Sequence, residues 1–517
     1  MYLSNEMDSR VQWFKKAKPL AVFPKDRSIV MIGCGSIGTT LLPVLFKLVD
    51  FNVDKMYIID KLPVNKREYK NGYVRTFLDK GIHFKQIELT RSNYKRVLSF
   101  MKSGDILIDL AYDISTMDLL RFCHKKGILF LNTSVEEWNP YSNKHHNTTD
   151  YTLYHRHTLL QKMISKWPKD SPTALIDCGA NPGMVSIFVK LALIKIAKKQ
   201  LKSTNVSLDT KHKIRNAIEN DHFKLLSYLL GLKVVHISER DSQISCNPKK
   251  PNEFVNTWSI DGFVEEGAAP AELSWGTHEK KLPENAVLHK VGEKHQICLK
   301  NKGATVMMRS YIRSGPIDGM LIRHGEAYSI GHRYSVYPED IKNPVSYVHC
   351  HSVKKQNVDT VVNRPTVHYV YMPCDAALAS MHEFRSQNFK LQKNKRVMTG
   401  DIVSGKDELG CVLYGDFGVW WIGSQLDIHE SRKLLGTTEI NATGVQVVGM
   451  LISSIIYTIN HPNISVNFAD DLEYKEIWKT LKHFMGPMHS HALKLPKKEF
   501  DRIKNFQFSD FEAKDLI

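Results

Sequence analysis

The sequence predicts an α/β protein in two parts: a doubly wound parallel sheet, then a second α+β domain with a mostly antiparallel sheet. Three observations predict it. Short apolar strands alternate with helical segments through about the first 180 residues. A glycine-rich turn joins the first strand to its helix. Beyond residue 182 the chain changes to aromatic and β-branched segments with turns between them.

The candidate strands of the first part are SIVMIG, KMYIID, HFKQIEL, DILIDLA, ILFLNTS and TALIDCG. Helices are predicted over Thr39–Val49, Arg91–Lys102 and Ser115–Lys125. Six strands with short crossovers give the order 3-2-1-4-5-6. The run IVMIGCGSIGTTLLPVLFKL (29–48) is a strand, a turn and an amphipathic helix. Its Gly33, Gly35 and Gly38 stand in G-x-G-x-x-G spacing. Gly33 permits the tight turn, Gly35 leaves room for a pyrophosphate, and Gly38 lets the helix sit close on the strand. The helix N-terminus turns its free N–H groups to the phosphate. MYIID ends at Asp60, 22 residues after Gly38, where an acid takes the ribose hydroxyls. The pattern is that of a Rossmann-type dinucleotide site, and the acid favours NAD over NADP. Ligands in such a sheet sit beyond the carboxyl ends of the strands, which points to Asp113, Glu136 and Asn181.

The expected division is an NAD-binding domain over 1–181, a substrate-binding and dimerisation domain over 182–435, and a C-terminal segment over 461–517. An apolar helix over about 441–460 is expected to pack back on the first domain. At 517 residues the chain exceeds what one core supports. The N-terminus has no apolar signal core, and GVQVVGMLISSIIYTI suits a buried helix better than a membrane span. The eight cysteines form no C-x-x-C pair and read as reduced thiols of a cytoplasmic protein. The net charge of +17 raises the question of nucleic acid, but the lysines are dispersed and no nucleic-acid motif appears.

In CGANPGMVS, Asn181 reads as a helix N-cap with Pro182 at the first helical position. ERDSQ and FVNTWSIDGFVEEGAAPAELSWG supply Glu239, Trp258, Glu265, Glu266 and Glu272. Carboxylates beside an aromatic face suit a cationic amine, through charge-assisted hydrogen bonds and cation–π attraction. His324 and Glu326 stand two apart and would share one side of a strand, with Glu326 orienting a proton-shuttling imidazole. Asp375 follows a strand and opens a helix, as a cap does. The histidine groups 145/146, 155/157, 349/351 and 489/491 lack partners at ligand spacing, so no metal is expected.

Several long segments together resemble the bacterial homospermidine synthases of the saccharopine dehydrogenase-like group. They are MIGCGSIG, NTSVEEW, CGANPGMVS, HISERDSQ, FVNTWSIDGFVEEG, PAELSWGT, PTVHYVY, DAALASMHE, DELGCVLYG, GSQL and NATGVQV, from about residue 28 to 480. The resemblance implies NAD held as a prosthetic group and a redox-neutral aminobutyl transfer. Putrescine is oxidised to an imine, ammonia leaves, and the Schiff base with a second putrescine is reduced to sym-homospermidine. Spermidine is an alternative donor. It implies catalytic roles for Glu239, Glu266, Asn181 and His324, and substrate binding by Asp113, Glu136, Trp258 and Asp375. It places NAD against Gly33, Gly35, Ser36, Ile37, Gly38, Asp60, Thr133 and Asn181. It further implies a cytoplasmic homodimer with no metal, membrane or nucleic-acid partner. Three departures stand out: Cys34 where the family has Phe, beside the dinucleotide and open to oxidation; EEW for EPW at 136–138; and AYSIGHRYSVYPEDIKN after His324. The competing enzyme reading is a saccharopine- or carboxynorspermidine-type NAD(P)-dependent reductive-amination oxidoreductase. Its carboxylated substrates want a basic pair in the pocket, for which Arg240 is the candidate. The competing non-enzyme reading is a basic NAD-sensing or nucleic-acid-binding protein.

Overall fold

The computed structural model describes residues 2–63, 73–140, 147–292, 294–344, 360–503 and 505–513. The expected six strands form as β1 (Ile29–Ile32), β2 (Met56–Asp60), β3 (His83–Gln86), β4 (Ile106–Asp109), β5 (Leu129–Asn132) and β6 (Ala174–Ile176). All pair in parallel, in the predicted order β3-β2-β1-β4-β5-β6. A seventh strand, Val466–Phe468, returns from near the C-terminus to pair in parallel with β6. Strands β1, β4, β5 and β6 are buried on both faces, as a sheet covered by helices requires.

The second sheet has ten strands. Its centre is β7 (Leu232–Asp241), which runs parallel to Thr366–Met372 and antiparallel to Lys406–Gly415. The other pairings are antiparallel, and Met488–Ala492 closes one edge against Gly418–Asp427. The last 57 residues therefore supply a strand to each sheet.

Helix α1 (Ser36–Leu48) follows the glycine turn. Helix α2 (Ala442–Asn460) packs against it and against the second sheet. Asn441 caps α2: its Oδ1 accepts from Gly444 N at 2.7 Å while its Nδ2 donates to the carbonyls of Thr257 and Met398. Among the described residues α2 alone is long and apolar enough to cross a membrane, and 89% of it is buried inside the fold.

Several local expectations fail for identifiable reasons. The helix expected over Arg91–Lys102 shrinks to Tyr94–Val97. Asn93 accepts from Thr90 N and donates to Glu88 O, a local alternative that competes with helix propagation. Asn181 does not cap the following helix, which begins at Met184 behind Gly183. Gly183 has φ +134°, and a Cβ there would lie 2.4 Å from Gly179 O. His324 and Glu326 lie not on a strand but at the start of the helix Gly325–Arg333. Asp375 is the first residue of its helix, and Cys374 holds the cap position. Cys34 turns its thiol into the core, fully buried, which removes the expected exposure to oxidation. His145, His146, His349 and His351 lie outside the described residues.

The turn predicts its own sensitivity. Gly33 has φ +81°, and a Cβ there would meet Leu110 O at 2.9 Å, whereas one on Gly35 would meet nothing within 4 Å. Gly33→Ala is therefore expected to lower stability by about 1–3 kcal/mol in urea denaturation. Gly35→Ala should leave the midpoint nearly unchanged and weaken dinucleotide binding instead.

Candidate active site

Two cavities open at the carboxyl ends of the parallel strands and meet at Leu110–Tyr112. The first, about 830 Å3, is bordered by Gly33, Gly35, Asp60, Asp113 and Asp261. Its features fit a dinucleotide. Helix α1 has no side-chain cap, so its first N–H groups are available to a phosphate. The space above Gly35 is open. Asp60 ends β2, with Oδ2 accepting from Cys34 N at 2.7 Å and Oδ1 from Leu62 N at 2.8 Å. Both bonds fix the carboxylate at the place a ribose would occupy.

The second cavity, about 910 Å3, lies between the two sheets. The loops after β5 and β6 bring Thr133, Glu136 and Asn181 to it, and α1 brings Ile37. The second domain contributes Glu239, Trp258 and Glu266, and Thr443 projects from α2. Glu239 is 2% exposed. Its Oε2 accepts from the Tyr369 hydroxyl at 2.6 Å and from Asn181 Nδ2 at 2.7 Å. Burial pushes its pKa up to about 7, and these donors hold back a larger rise. Glu136 is likewise raised to about 7 by burial and by the charge of Glu265. Glu266 is pushed well above the usual range by burial and by the neighbouring acids Glu265, Glu136 and Glu239. Trp258 donates from Nε1 to the Tyr371 hydroxyl at 2.9 Å, which fixes its ring on the cavity wall.

Five of the expected catalytic and substrate-binding residues thus share one cavity: Glu136, Asn181, Glu239, Trp258 and Glu266. Three do not line it. Asp113 borders the first cavity, at φ +68°, and accepts from Asn139 N. His324 is buried behind Tyr369, with ring centroids 4.7 Å apart, and burial lowers its pKa to about 4. It stands 4.0 Å from Glu326, whose Oε1 is engaged by Ser186 N and Oγ at 2.7 Å each. Asp375 has a 79% exposed side chain and pairs with Arg240 at 3.1 Å. Arg240 also donates to Pro373 O, so it does not enter the cavity.

Two acids of the cluster are structural. Glu265 lies between the buried guanidinium groups of Arg156 and Arg323, which hold its pKa down at about 2 despite burial. Glu272 accepts from Leu153 N and Tyr154 N, at the start of the helix Leu153–Ile164. Tyr369 and Tyr371 were not singled out from the sequence. Their spacing of two in PTVHYVY puts both on the face of Glu239, since Tyr371 is in register with Glu239.

Comparison with known proteins adds the lineage. Residues 29–175 match the saccharopine dehydrogenase NADP binding domain, and residues 179–487 match the saccharopine dehydrogenase C-terminal domain. The homospermidine synthase of Mesorhizobium japonicum is 34% identical over 475 residues, 90% of each chain. That of Blastochloris viridis is 34% identical over 474 residues, again 90% of each. This chain belongs to the homospermidine synthase family. A crystal structure of the family's Legionella pneumophila member, in complex with NAD, superposes with a TM-score of 0.78 at 32% identity, covering 95% of this chain and 98% of that one.

The ion triad makes a stability prediction. Glu265→Gln leaves two buried guanidinium groups without their carboxylate. It should cost about 3–5 kcal/mol in denaturant unfolding. A loss below about 1 kcal/mol would contradict the pairing.

Proposed function

We propose that this chain is a homospermidine synthase, joining two putrescine units with release of ammonia. One observation carries the reading. The cavity between the sheets is lined by Glu136, Glu239, Glu266 and the Trp258 ring, with no lysine or arginine among its described lining residues. A diamine is a dication at neutral pH, and such a lining holds ammonium groups by charge-assisted hydrogen bonds. The competing oxidoreductases bind carboxylates and need a basic pair. Here Arg156 and Arg323 are taken by Glu265, and Arg240 by Asp375.

NAD bound along β1, β2 and β4 supplies a hydride acceptor and then a hydride donor. Asp60 argues for NAD although the matching family model is described as NADP binding, because a carboxylate there repels a 2′-phosphate. Ser36, Ile37 and Gly38 open α1 beneath the phosphate position, and Thr133 and Asn181 line the second cavity, which meets the first at Leu110–Tyr112.

An amine must lose a proton before its carbon can give up a hydride. Glu239 is placed for that proton: it is buried and its pKa is raised to about 7. Glu266 and Glu136 hold the remaining positive charge across the cavity. Asn181 keeps Glu239 aimed by its hydrogen bond. Trp258 offers its ring face to a passing ammonium, worth about 0.5–2 kcal/mol. His324 and Asp375 act, on this reading, behind the cavity wall and at the surface, while Asp113 faces the cofactor cavity. The reading includes spermidine as an alternative donor and a cytoplasmic homodimer joined through the second domain. A monomer in light scattering would remove that last part.

The deciding experiment incubates purified protein with putrescine and catalytic NAD and quantifies amines and ammonia. Homospermidine and ammonia without net NADH are expected. Stoichiometric NADH without homospermidine would make it an amine dehydrogenase. Trp258→Ala should lower kcat/KM about 2- to 30-fold, and Glu239→Gln at least about 100-fold. Since Glu239 accepts a proton only when ionised, kcat/KM should fall about tenfold per unit below a pH of about 7.

A further inference from the structure

Behind Glu239, away from the cavity, two more carboxyl groups occupy the same face of the second sheet. Asp241 follows Glu239 by two residues on β7, and Asp407 is the cross-strand partner of Asp241. All three are buried, at 2%, 0% and 1% exposure for Glu239, Asp241 and Asp407. Asp241 is fully engaged: Oδ1 accepts from Gln243 N and Nε2 at 2.8 and 3.1 Å, and Oδ2 from the Thr257 hydroxyl at 2.6 Å. Glu239 has Tyr369 and Asn181. Among the described residues neither oxygen of Asp407 has a partner in full hydrogen-bonding geometry, and the polar side chains that act on it are the Thr443 hydroxyl and the Glu239 carboxyl.

The groups facing this cluster explain why Asp407 stays unmatched. From its own sheet come the Tyr369 and Tyr371 hydroxyls and, further on, Cys374. From α2 comes Thr443, whose hydroxyl accepts from Gln243 Nε2 at 3.3 Å and keeps its own O–H, a weak donor that favours the ionised Asp407. Glu266 faces Glu239 across the cavity. The nearby cation, Arg240, points to the opposite face and is taken by Asp375. The neighbours of Asp407 on its own strand, Lys406 and Glu408, pair with each other on that same opposite side. A third buried anion here would have no cation and only the Thr443 hydroxyl as a donor, which costs several kcal/mol. A carboxylic acid would have an acceptor waiting in the Glu239 carboxylate.

We propose that Asp407 is a positioning residue held as the neutral acid, donating its O–H to Glu239 and so keeping Glu239 ionised to receive the proton of the diamine. The pair carries one proton in the resting enzyme. Glu239 takes a second from the substrate ammonium, leaving a free amine, and returns it to the departing ammonia as ammonium. The Asp407 proton stays in place. Burial and the charges of Glu239 and Asp241 also push the Asp407 carboxyl far upward, in agreement with the geometry. The proposal rests on the homospermidine synthase reading for its kinetic test only.

Asp407→Asn and Asp407→Leu separate the alternatives. Asparagine keeps a donor toward Glu239 and removes no charge from a neutral acid. The KM for putrescine should stay within about threefold and the acid limb of kcat/KM should not move. Leucine removes the donor, so the acid limb should move up by about one pH unit or more. If Asp407 is instead an anion that helps hold the diamine, Asp407→Asn loses a charge and KM should rise at least about tenfold. A merely structural residue would lower stability in both variants and leave both pH profiles unchanged. The infrared spectrum of resting enzyme against Asp407→Asn gives a second readout that needs no turnover. A protonated carboxyl band present in the wild type and lost in the variant is expected at pH 7. Its absence would overturn the proposal even if the protein makes no homospermidine.

Discussion

The molecule is organised around buried carboxylates. Removing an anion from water is costly unless donors or a cation meet it. The chain resolves this differently at successive positions. Asp60 is met by two backbone N–H groups, Glu272 by two more, and Glu265 by two guanidinium groups. Glu136, Glu239 and Glu266 are compensated only in part, Glu239 by Tyr369 and Asn181 and Glu136 by Ser134 and a distant Arg156, and all border one cavity. Their raised pKa values are the measure of unmatched charge. In the function proposed above a cationic ligand completes them, and the same imbalance that destabilises the empty site would become affinity and basicity when an amine arrives.

That imbalance is tolerable because the frame around it is stiff. The cavity lies between two sheets built independently, and α2 ties them. Its N-terminus is capped by Asn441, whose amide also holds the carbonyls of Thr257 and Met398. Thr257 in turn binds Asp241 and adjoins Trp258. The helix that packs on α1 beside the dinucleotide turn is thus bonded to the strand and loop that carry the acids and the indole. The two cavities keep a fixed relation through this one element and through the β4 loop at Leu110–Tyr112.

The first sheet was legible because its signals are local: apolar strands, a glycine turn with an acid at the right distance, and short crossovers. Where side chains offered the backbone a local bond, as at Asn93, the periodicity misled. Asn181 looked like a cap because Asn-Pro is a good helix start, yet the turn at Gly179–Gly183 consumes those residues and frees the amide for Glu239. The cluster of acids was visible as types in sequence. Which of them a guanidinium neutralises was not, because Arg156 and Arg323 lie more than 50 residues from Glu265 on either side. Asp375 read as part of an acidic lining and lies at the surface, since Arg240 projects from the far face of β7 and draws it away. Asp407 opens the segment DELGCVLYG, but nothing in the sequence marked it as a site residue: its meaning comes from the antiparallel register that sets it opposite Asp241.

The net charge of +17 opposes the approach of a dicationic substrate. The conflict is smaller than the number implies. At physiological ionic strength a surface charge is screened beyond about 8 Å. Dispersed lysines therefore contribute little at the bottom of a cavity between two sheets. Inside it screening is weaker, so three carboxylates, with no lysine or arginine among the described lining residues, set the local potential. Capture of a diamine is then governed by the cavity, and the basic exterior affects chiefly the encounter rate at low salt. That partition also explains how a basic chain can host an acidic site: the arginines nearest the acids, Arg156 and Arg323, make their shortest ion pairs with Glu265 and offset Glu136 and Glu266 only in part.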